Sequence, residues 1–182
     1  MIMRSVVNAI DRINTWTGKA ISFLVFVMTA VLCWEIFGRG LFDSPTIWAH
    51  ELTGYFFGAY FMLGGAYTLK NGGHINVDIL YTKLSAKKRA VVDIVSSLLI
   101  MLFLFVLLWF SFNLMITQLN RHEVSQTVFA PPVFPLSLFI VVGSIMFLLQ
   151  AFAKLVRSVY LVAKGKDFDS LANPDVQERE SK

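Results

Sequence analysis

The chain has 182 residues, of which 56% are hydrophobic and 17 are Phe, and its formal net charge at pH 7 is +4. A soluble domain of this length carries far fewer apolar residues, so the composition indicates a membrane protein. The single cysteine, Cys33, excludes an internal disulfide, a multi-thiolate metal site and a redox site that needs a cysteine pair.

Four apolar runs are long enough to cross a bilayer as helices, since a span takes about 20 residues. They cover roughly residues 20–38, 52–69, 90–116 and 134–153. Backbone amides in lipid need internal partners, so the runs are predicted to be helical. The first run is expected to be retained, because its far end lacks the small residues of a signal-peptide cleavage site. The predicted fold is an all-α integral membrane protein with four transmembrane helices and short interfacial helices.

The basic residues lie mainly on one side of these spans. Fourteen of the 16 lysines and arginines precede the first run, separate the second from the third, or follow the fourth, and the other two connections hold only Arg39 and Arg121. The positive-inside rule therefore predicts that both termini are cytoplasmic. The net positive charge then reflects topology and contact with anionic lipid headgroups, and no nucleic-acid partner is predicted.

The two ends of the chain differ from the centre. Residues 1–19 are predicted to form an amphipathic segment in the membrane interface. The residues at roughly helical spacing there are Val6, Val7, Ile10, Ile13, Asn14 and Trp16. Residues 20–163 form the predicted four-helix transmembrane domain. Residues 164–182 are polar and acidic, which predicts a disordered cytoplasmic tail.

The first outward connection is short but rich in polar and aromatic residues. The glycine pair Gly38 and Gly40 predicts the end of helix one. Ser44 followed by Pro45 predicts the start of helix two. Trp48 is expected at headgroup depth, where indole rings prefer to lie, and is therefore predicted to be a membrane-interface anchor.

Three charged residues near this connection need partners. A charge at mid-bilayer costs roughly 2.5–3.5 kcal/mol, whereas an exposed i,i+4 pair such as Glu35 and Arg39 returns only about 0.2–0.5 kcal/mol. Glu35 is therefore expected to face another helix or a polar crevice. Arg39, held between Glu35 and Glu51, is predicted to tie helices one and two together. A proton or ion relay through Glu35 is the alternative interpretation.

The second run and the segment after it carry packing and turn signals. Gly54 and Gly58 form a GxxxG pattern, which predicts close helix packing in a membrane. His74 and Asp78, at i,i+4 spacing, are predicted to brace a cytoplasmic turn. The other two histidines are assigned to the opposite side, so no metal site is expected. No catalytic or cofactor-binding residue is predicted either.

The longest outward connection, residues 118–135, contains Pro131, Pro132 and Pro135, which stiffen the entry to the fourth span. A stiff outward loop is a candidate docking surface for a soluble protein. Its charged triplet beginning at Arg121 has no arrangement of nucleophile, base and orienting group.

These features resemble the small membrane subunit, the Q or DctQ-type small permease, of tripartite ATP-independent periplasmic (TRAP) transporters. The resemblance covers about residues 15–163. It is carried by Arg39, the segment "SPTIWAHEL" with Trp48 and Glu51, the segment "GAYFMLGGAYTLKNGGHINVDIL" with His74, Val77 and Asp78, and the basic "KKR" before helix three.

The resemblance implies a subunit of a bacterial inner-membrane importer. In such systems a soluble periplasmic protein (P) captures a carboxylate, such as sialic acid or a dicarboxylate. A large multi-span subunit (M) then moves it by a sodium-driven elevator motion. The small subunit of such systems is a scaffold for the large one, lies in contact with membrane lipids and is expected to help dock the periplasmic protein transiently; no cofactor is implied.

Three other classes of small membrane protein fit the sequence less well. A stand-alone membrane enzyme would need a cluster of acid, base or nucleophile at one depth, and the sequence shows none. A four-helix proton-coupled exporter would use Glu35, but such exporters are much shorter and place their carboxylate near mid-membrane. A haem-binding four-helix carrier needs facing histidines within its spans. All three histidines here lie at or beyond the span ends.

Overall fold

The computed structural model describes residues 2–43, 45–71 and 86–164. Within these residues it contains five helices, which are α1 (Ile2–Ser22), α2 (Leu24–Phe42), α3 (Ala49–Lys70), α4 (Ala86–Asn120) and α5 (Phe134–Lys164). The predicted all-α class is therefore confirmed for the described residues.

Helices α2 to α5 overlap the four predicted spans. In the described part of the chain, three stretches are long and apolar enough to cross a membrane, namely Met3–Phe42, Val91–Asn120 and Phe134–Ala163. Helix α3 falls outside this set because four glycines and three tyrosines lower its mean hydropathy. Its transmembrane character stays a prediction.

Helices α1 and α2 follow one another with only a one-residue interruption at Phe23. The backbone of Phe23 stays in the right-handed helical region, with φ −66° and ψ −23°. Helix α2 then continues through Gly38 and Gly40 to Phe42, so the predicted stop at the glycine pair was wrong. The helix ends because Asp43 adopts a left-handed conformation, with φ 48°, and donates its N–H to the carbonyl of Gly38.

Helix α3 begins later than the sequence predicts. The expected cap Ser44 lies outside the described residues, and Pro45 precedes the helix rather than opening it. The first helical residue is Ala49, preceded by Trp48 without a side-chain cap. The delay has a physical cause, since Thr46 directs both its backbone N–H and its hydroxyl to Glu35. Residues 45–48 are thereby held against α2.

Helix α5 is the centre of the bundle and packs against α4, α3 and α1. The contact face between α4 and α5 repeats every seven residues, the period of a left-handed helix pair. At the loop end, Ser137 donates a hydrogen bond of 2.7 Å to Gln118. The buried residues at this spacing are Ser97, Leu104, Ser111 and Gln118 on α4 and Ser137, Ser144, Ala151 and Ser158 on α5.

Glycines bring α3 and α5 into backbone contact. A Cβ atom added at Gly143 would lie 2.8 Å from the Cβ and 2.9 Å from the carbonyl carbon of Met62. A Cβ at Gly58 would lie 2.5 Å from the Leu136 side chain, whereas one at Gly54 would meet nothing within 4 Å. Of the two glycines in the GxxxG pattern, Gly58 therefore packs against another described helix, whereas Gly54 meets none of the described residues.

Helix α1 packs against the end of the bundle that lies away from the α4–α5 connection. Val7 and Ile10 form a buried cluster with Ala153 of α5, and Val156 and Tyr160 pack against it. One face of α1 is thus part of the bundle. The interfacial location predicted for residues 1–19 stays a prediction.

Candidate functional site

The polar side chains that join helices gather at the two ends of the bundle. We call Glu35, Arg39, Thr46, Glu51 and Ser125 the loop-end cluster, because they lie beside the α2–α3 and α4–α5 connections. A second group, the N-terminal cluster, lies where α1 meets α3 and α5 and is described below.

Glu35 organises the loop-end cluster. It is only 8% exposed, although α2 around it is largely uncovered. Arg39 donates to one carboxylate oxygen at 2.6 Å, and the backbone N–H of Thr46 donates to the other at 2.8 Å. The Thr46 hydroxyl donates to that second oxygen as well. The carboxylate therefore closes the α2–α3 connection and faces protein rather than lipid.

Glu51 has a different partner from the predicted one. Ser125 of the α4–α5 connection donates to one Glu51 oxygen at 3.4 Å. The other oxygen is buried and has no hydrogen-bond partner among the described residues. The structure thus joins Arg39 to Glu35 but forms no ion pair between Arg39 and Glu51 in the described part of the chain. The first turn of α3 directs Glu51 toward the next loop, not back toward α2.

The α4–α5 connection folds as a hairpin that α3 supports. Ser125 donates its N–H to the carbonyl of Pro131 at 2.8 Å. The hydroxyl of Tyr55 on α3 donates to the carbonyl of Pro132 at 2.6 Å. The hairpin tip exposes Val128, which is 87% accessible. A hydrogen-bonded loop with an apolar tip therefore lies at this end of the bundle.

Trp48 lies at the same end of the bundle as the hairpin, immediately before α3. Its neighbours Ile47 and Phe42 are also exposed large apolar residues. An apolar collar of this kind suits the headgroup region, where indole rings concentrate. The anchoring role of Trp48 stays a prediction.

The N-terminal cluster consists of Asp11, Asn14, Lys70, Gln150 and Arg157. Asp11 on α1 pairs with Arg157 on α5 at 2.5 Å and accepts a hydrogen bond from Gln150 at 2.9 Å. Asn14 donates to the Gln150 carbonyl oxygen at 2.6 Å. Gln150 is 1% exposed and Asn14 2% exposed. Buried amides that satisfy each other stabilise one arrangement of α1 on α5.

Two more polar contacts at this end of the bundle involve α3 and α4. Lys70 at the end of α3 donates to the Thr15 hydroxyl and, at 3.4 Å, to the backbone carbonyl of Asp11. Lys154 on α5 pairs with Asp93 on α4 at 2.8 Å. Polar contacts therefore link α1 to α3 and α5, and α5 to α4.

Sequence reasoning did not identify Asp11, Gln150 or Arg157 as interhelical residues. Gln150 could have indicated such a contact, because it is an amide inside an apolar run. An amide that is buried in lipid or protein requires a hydrogen-bond partner. The partner itself was not predictable, since it lies 136 positions away in the chain.

An apolar cavity of about 690 Å³ lies between α1, α3 and α4. Gly18, Gly64 and Gly65 line one side, and Phe103 and Leu107 line another. None of the described residues around it carries a charge. A carboxylate would enter this space without a cationic partner, which is strongly unfavourable.

Two further findings concern metal ligands and the predicted turn residues. Among the described residues, no group of three or more His, Cys, Asp or Glu could hold a metal ion. His74 and Asp78 lie outside the described residues, so their predicted role in a cytoplasmic turn stays a prediction.

The sequence model of the family "Tripartite ATP-independent periplasmic transporters, DctQ component" matches residues 28–160, well over half of the chain. The match contains all of α3 and α4, most of α2 and α5, and the whole loop-end cluster. Helix α1 lies outside it. The resemblance found in the sequence is therefore confirmed.

Two curated proteins are similar to parts of the chain. The sialic acid TRAP transporter small permease protein SiaQ of Vibrio cholerae is 31% identical over 88 residues, 48% of this chain and 47% of that protein. The sialic acid TRAP transporter permease protein SiaT of Haemophilus influenzae is 27% identical over 101 residues, 56% of this chain and 16% of that protein. The chain thus spans about half the length of the first relative and a small part of the second.

Proposed function

The chain belongs to the DctQ component family of tripartite ATP-independent periplasmic transporters, and from this premise we propose that it is the small membrane subunit that scaffolds a large, elevator-type permease subunit. The family is one of transporter components, not of enzymes. The proposed task of the whole system is sodium-driven uptake of a carboxylate across the bacterial inner membrane. Sialic acid is the first candidate, because both curated relatives carry it in their names; a dicarboxylate is the other.

The proposed topology has four spans, α2 to α5, with both termini in the cytoplasm. Helix rise supports α3 as a span, because 19 residues separate Glu51 from Lys70, about 28 Å. From Asn14 to Glu35 the 21 residues rise about 31 Å. Both lengths match the hydrocarbon core of about 30 Å. The two polar clusters would then lie at its two boundaries, with the loop-end cluster periplasmic and residues 164–182 forming a cytoplasmic tail.

The observation that carries the scaffold proposal is the placement of charge. The ion pairs of the described residues lie at or beyond the two ends of the bundle, and none of the described residues around the cavity between α1, α3 and α4 carries a charge. A conduit for a carboxylate would need a cation or helix N-termini at mid-depth. Helices that are tied together at both ends suit a rigid support.

The longer relative supports a large permease as the partner. The matched segment makes up only 16% of SiaT, whose name calls the whole chain a permease protein. A segment similar to this chain and a much larger remainder therefore occur in one polypeptide there. We propose that the corresponding partner here is a separate large subunit (M).

The other predicted residues receive roles within this proposal. The α4–α5 hairpin would help to dock the periplasmic substrate-binding protein (P) transiently. Trp48 would set the depth of the periplasmic helix ends, and His74 with Asp78 would brace the cytoplasmic turn.

Reconstitution tests the proposal directly. The chain, the cognate permease and the binding protein would be placed in liposomes with an inward sodium gradient, and uptake of labelled sialic acid would be measured. We expect uptake by the complete system, none by the chain alone, and little by the permease without the chain. Carboxylate uptake by the chain alone would overturn the scaffold role.

A proton-coupled exporter built on Glu35 is the second candidate, favoured by the burial of this carboxylate in α2. It has less support, because Glu35 lies near the end of α2 and already accepts hydrogen bonds from Arg39 and Thr46. The substitution Glu35→Gln separates the two functions. An exporter would lose proton-coupled transport, whereas a scaffold would retain uptake by the reconstituted system.

A further inference from the structure

We propose that Arg12, Trp16 and Lys19 form a face of α1 that binds the headgroups of anionic phospholipids. Helix α1 precedes the segment shared with the family, which begins at residue 28. The assignment of this face to the cytoplasmic leaflet rests on the proposed topology. The depth of the face is counted from the membrane boundary proposed at Glu35, whereas its exposure and its charge are independent of that proposal.

The three side chains share one side of the helix. Arg12 and Lys19 are seven residues apart, two helical turns or about 10 Å of rise, and Trp16 lies between them. All three are exposed, and Trp16 is 74% accessible. The buried stripe of α1, which includes Val7 and Asn14, faces the bundle instead.

The charges on this face lack protein partners within the described residues. Neither Arg12 nor Lys19 forms an ion pair there, whereas Lys154 pairs with Asp93 and Arg157 with Asp11. Two cations two turns apart present a positive surface whose complement is a phosphate-bearing lipid headgroup. Anionic lipids attract such residues close to the membrane surface.

The depth of the face fits a headgroup site. Counted from Glu35 at about 1.5 Å per residue, Lys19 lies about 24 Å away, Trp16 about 28 Å and Arg12 about 34 Å. The helical backbone at Phe23 keeps this rise nearly continuous. With a hydrocarbon core of about 30 Å, the three residues bracket the boundary with the headgroups. Lys19 can extend its amine outward along the helix, and the indole prefers this depth.

The apolar residues beside the face also favour lipid over water. Ile13, one helical turn from Trp16, is 56% exposed on the side of α1 that faces away from the bundle. An apolar strip flanked by cations is the pattern of a helix in contact with an anionic leaflet. A helix from another membrane subunit is the alternative occupant, and a face built for it would show no preference between anionic and zwitterionic lipid in the isolated chain.

The full-length chain with Trp16 as its only tryptophan (Trp34→Phe, Trp48→Phe, Trp109→Phe) would be placed in nanodiscs of phosphatidylcholine and phosphatidylglycerol. In parallel samples either lipid would carry bromine on its acyl chains, at equal mole fraction, and quenching of Trp16 fluorescence would be measured. A cation close to an anionic membrane surface raises the partition coefficient for that surface roughly fivefold. We expect brominated phosphatidylglycerol to quench Trp16 about fivefold more effectively than brominated phosphatidylcholine.

Substitutions in the same background test the source of this preference. Arg12→Gln with Lys19→Gln should reduce it to about equal quenching, whereas Lys88→Gln, which removes an exposed cation from α4, should leave it unchanged. Equal quenching by the two lipids in the parent, or a preference that survives the double substitution, would overturn the proposal. Absence of quenching by either lipid would show that the face does not contact the bilayer, and would overturn it too.

The assay reads contact in either leaflet, because both leaflets of the nanodisc have the same composition. A separate labelling experiment tests the proposed topology. A Met3→Cys, Cys33→Ala variant in intact cells should resist membrane-impermeant maleimides. Labelling from outside would reject the cytoplasmic N-terminus without altering the quenching result.

Discussion

Gly143 on α5 offers the sharpest test of how the bundle packs. A methyl group there would lie 2.8 Å from the Cβ and 2.9 Å from the carbonyl carbon and oxygen of Met62, against ordinary contact of 3.4–4 Å. Because part of the obstacle is backbone, α3 and α5 must separate by about half an ångström. Overpacking of this kind costs about 1–3 kcal/mol, and the better helix propensity of Ala returns at most about 1 kcal/mol.

We therefore expect Gly143→Ala to lower the free energy of unfolding by about 1–2 kcal/mol. At about 2–4 °C per kcal/mol for a chain of this size, the midpoint of thermal unfolding should fall by about 2–8 °C. The measurement is intrinsic fluorescence during heating of the purified chain in detergent micelles. Size-exclusion chromatography at each stage would exclude aggregation as the cause.

Gly54→Ala is the matched control, because a methyl group at position 54 would meet none of the described residues within 4 Å. The isolated chain should keep its unfolding midpoint or gain slightly from the helix propensity of Ala. If Gly54 instead packs against the large permease, the loss should appear only in the complex. Equal destabilisation of the isolated chain by both substitutions, or none by Gly143→Ala, would refute the packing described here.

Three further predictions concern the polar contacts. Arg39→Glu should lower expression, and adding Glu51→Arg should not restore it, because Arg39 pairs with Glu35 and not with Glu51 among the described residues; rescue by the double reversal would contradict the observed pairing. Tyr55→Phe should remove one hydrogen bond to the hairpin, worth about 1 kcal/mol, and speed hydrogen exchange in residues 124–133 more than elsewhere. Asp11→Asn should lower the free energy of unfolding by about 1–3 kcal/mol and loosen the packing of α1, which would be measured as faster proteolysis of the N-terminus. Unchanged proteolysis would count against the N-terminal cluster as the tether of α1.

The two polar clusters explain how a bundle with a largely uncovered surface keeps one arrangement. In lipid, apolar faces do not drive helices together as they do in water. Specific hydrogen bonds and close contacts at small residues must therefore favour one arrangement of the helices over the others. Asp11 with Arg157 provides such a contact at one end, and Glu35 with Thr46 at the other. Gly143 and Gly58 supply the close contact between α3 and α5.

Much of the architecture was predictable because it depends on local composition. Long apolar runs require helices in lipid, and the bias of Lys and Arg gives the expected orientation. The i,i+4 relation of Glu35 and Arg39 is local too, and the structure places them in contact. The motifs from Arg39 to Asp78 sufficed for the family resemblance.

Contacts between distant segments were decided only by the tertiary structure. Glu51 could reach Arg39 or the α4–α5 loop, and the direction in which α3 leaves its first turn places it beside Ser125. Helix α2 passes its glycine pair because a glycine permits a helix end but does not impose one; the left-handed backbone at Asp43 does. Gln150 finds Asn14 only once α1 lies along α5. Sequence patterns determine which surfaces must be covered, whereas the choice of partner is a property of the packed bundle, since it depends on helix direction and depth.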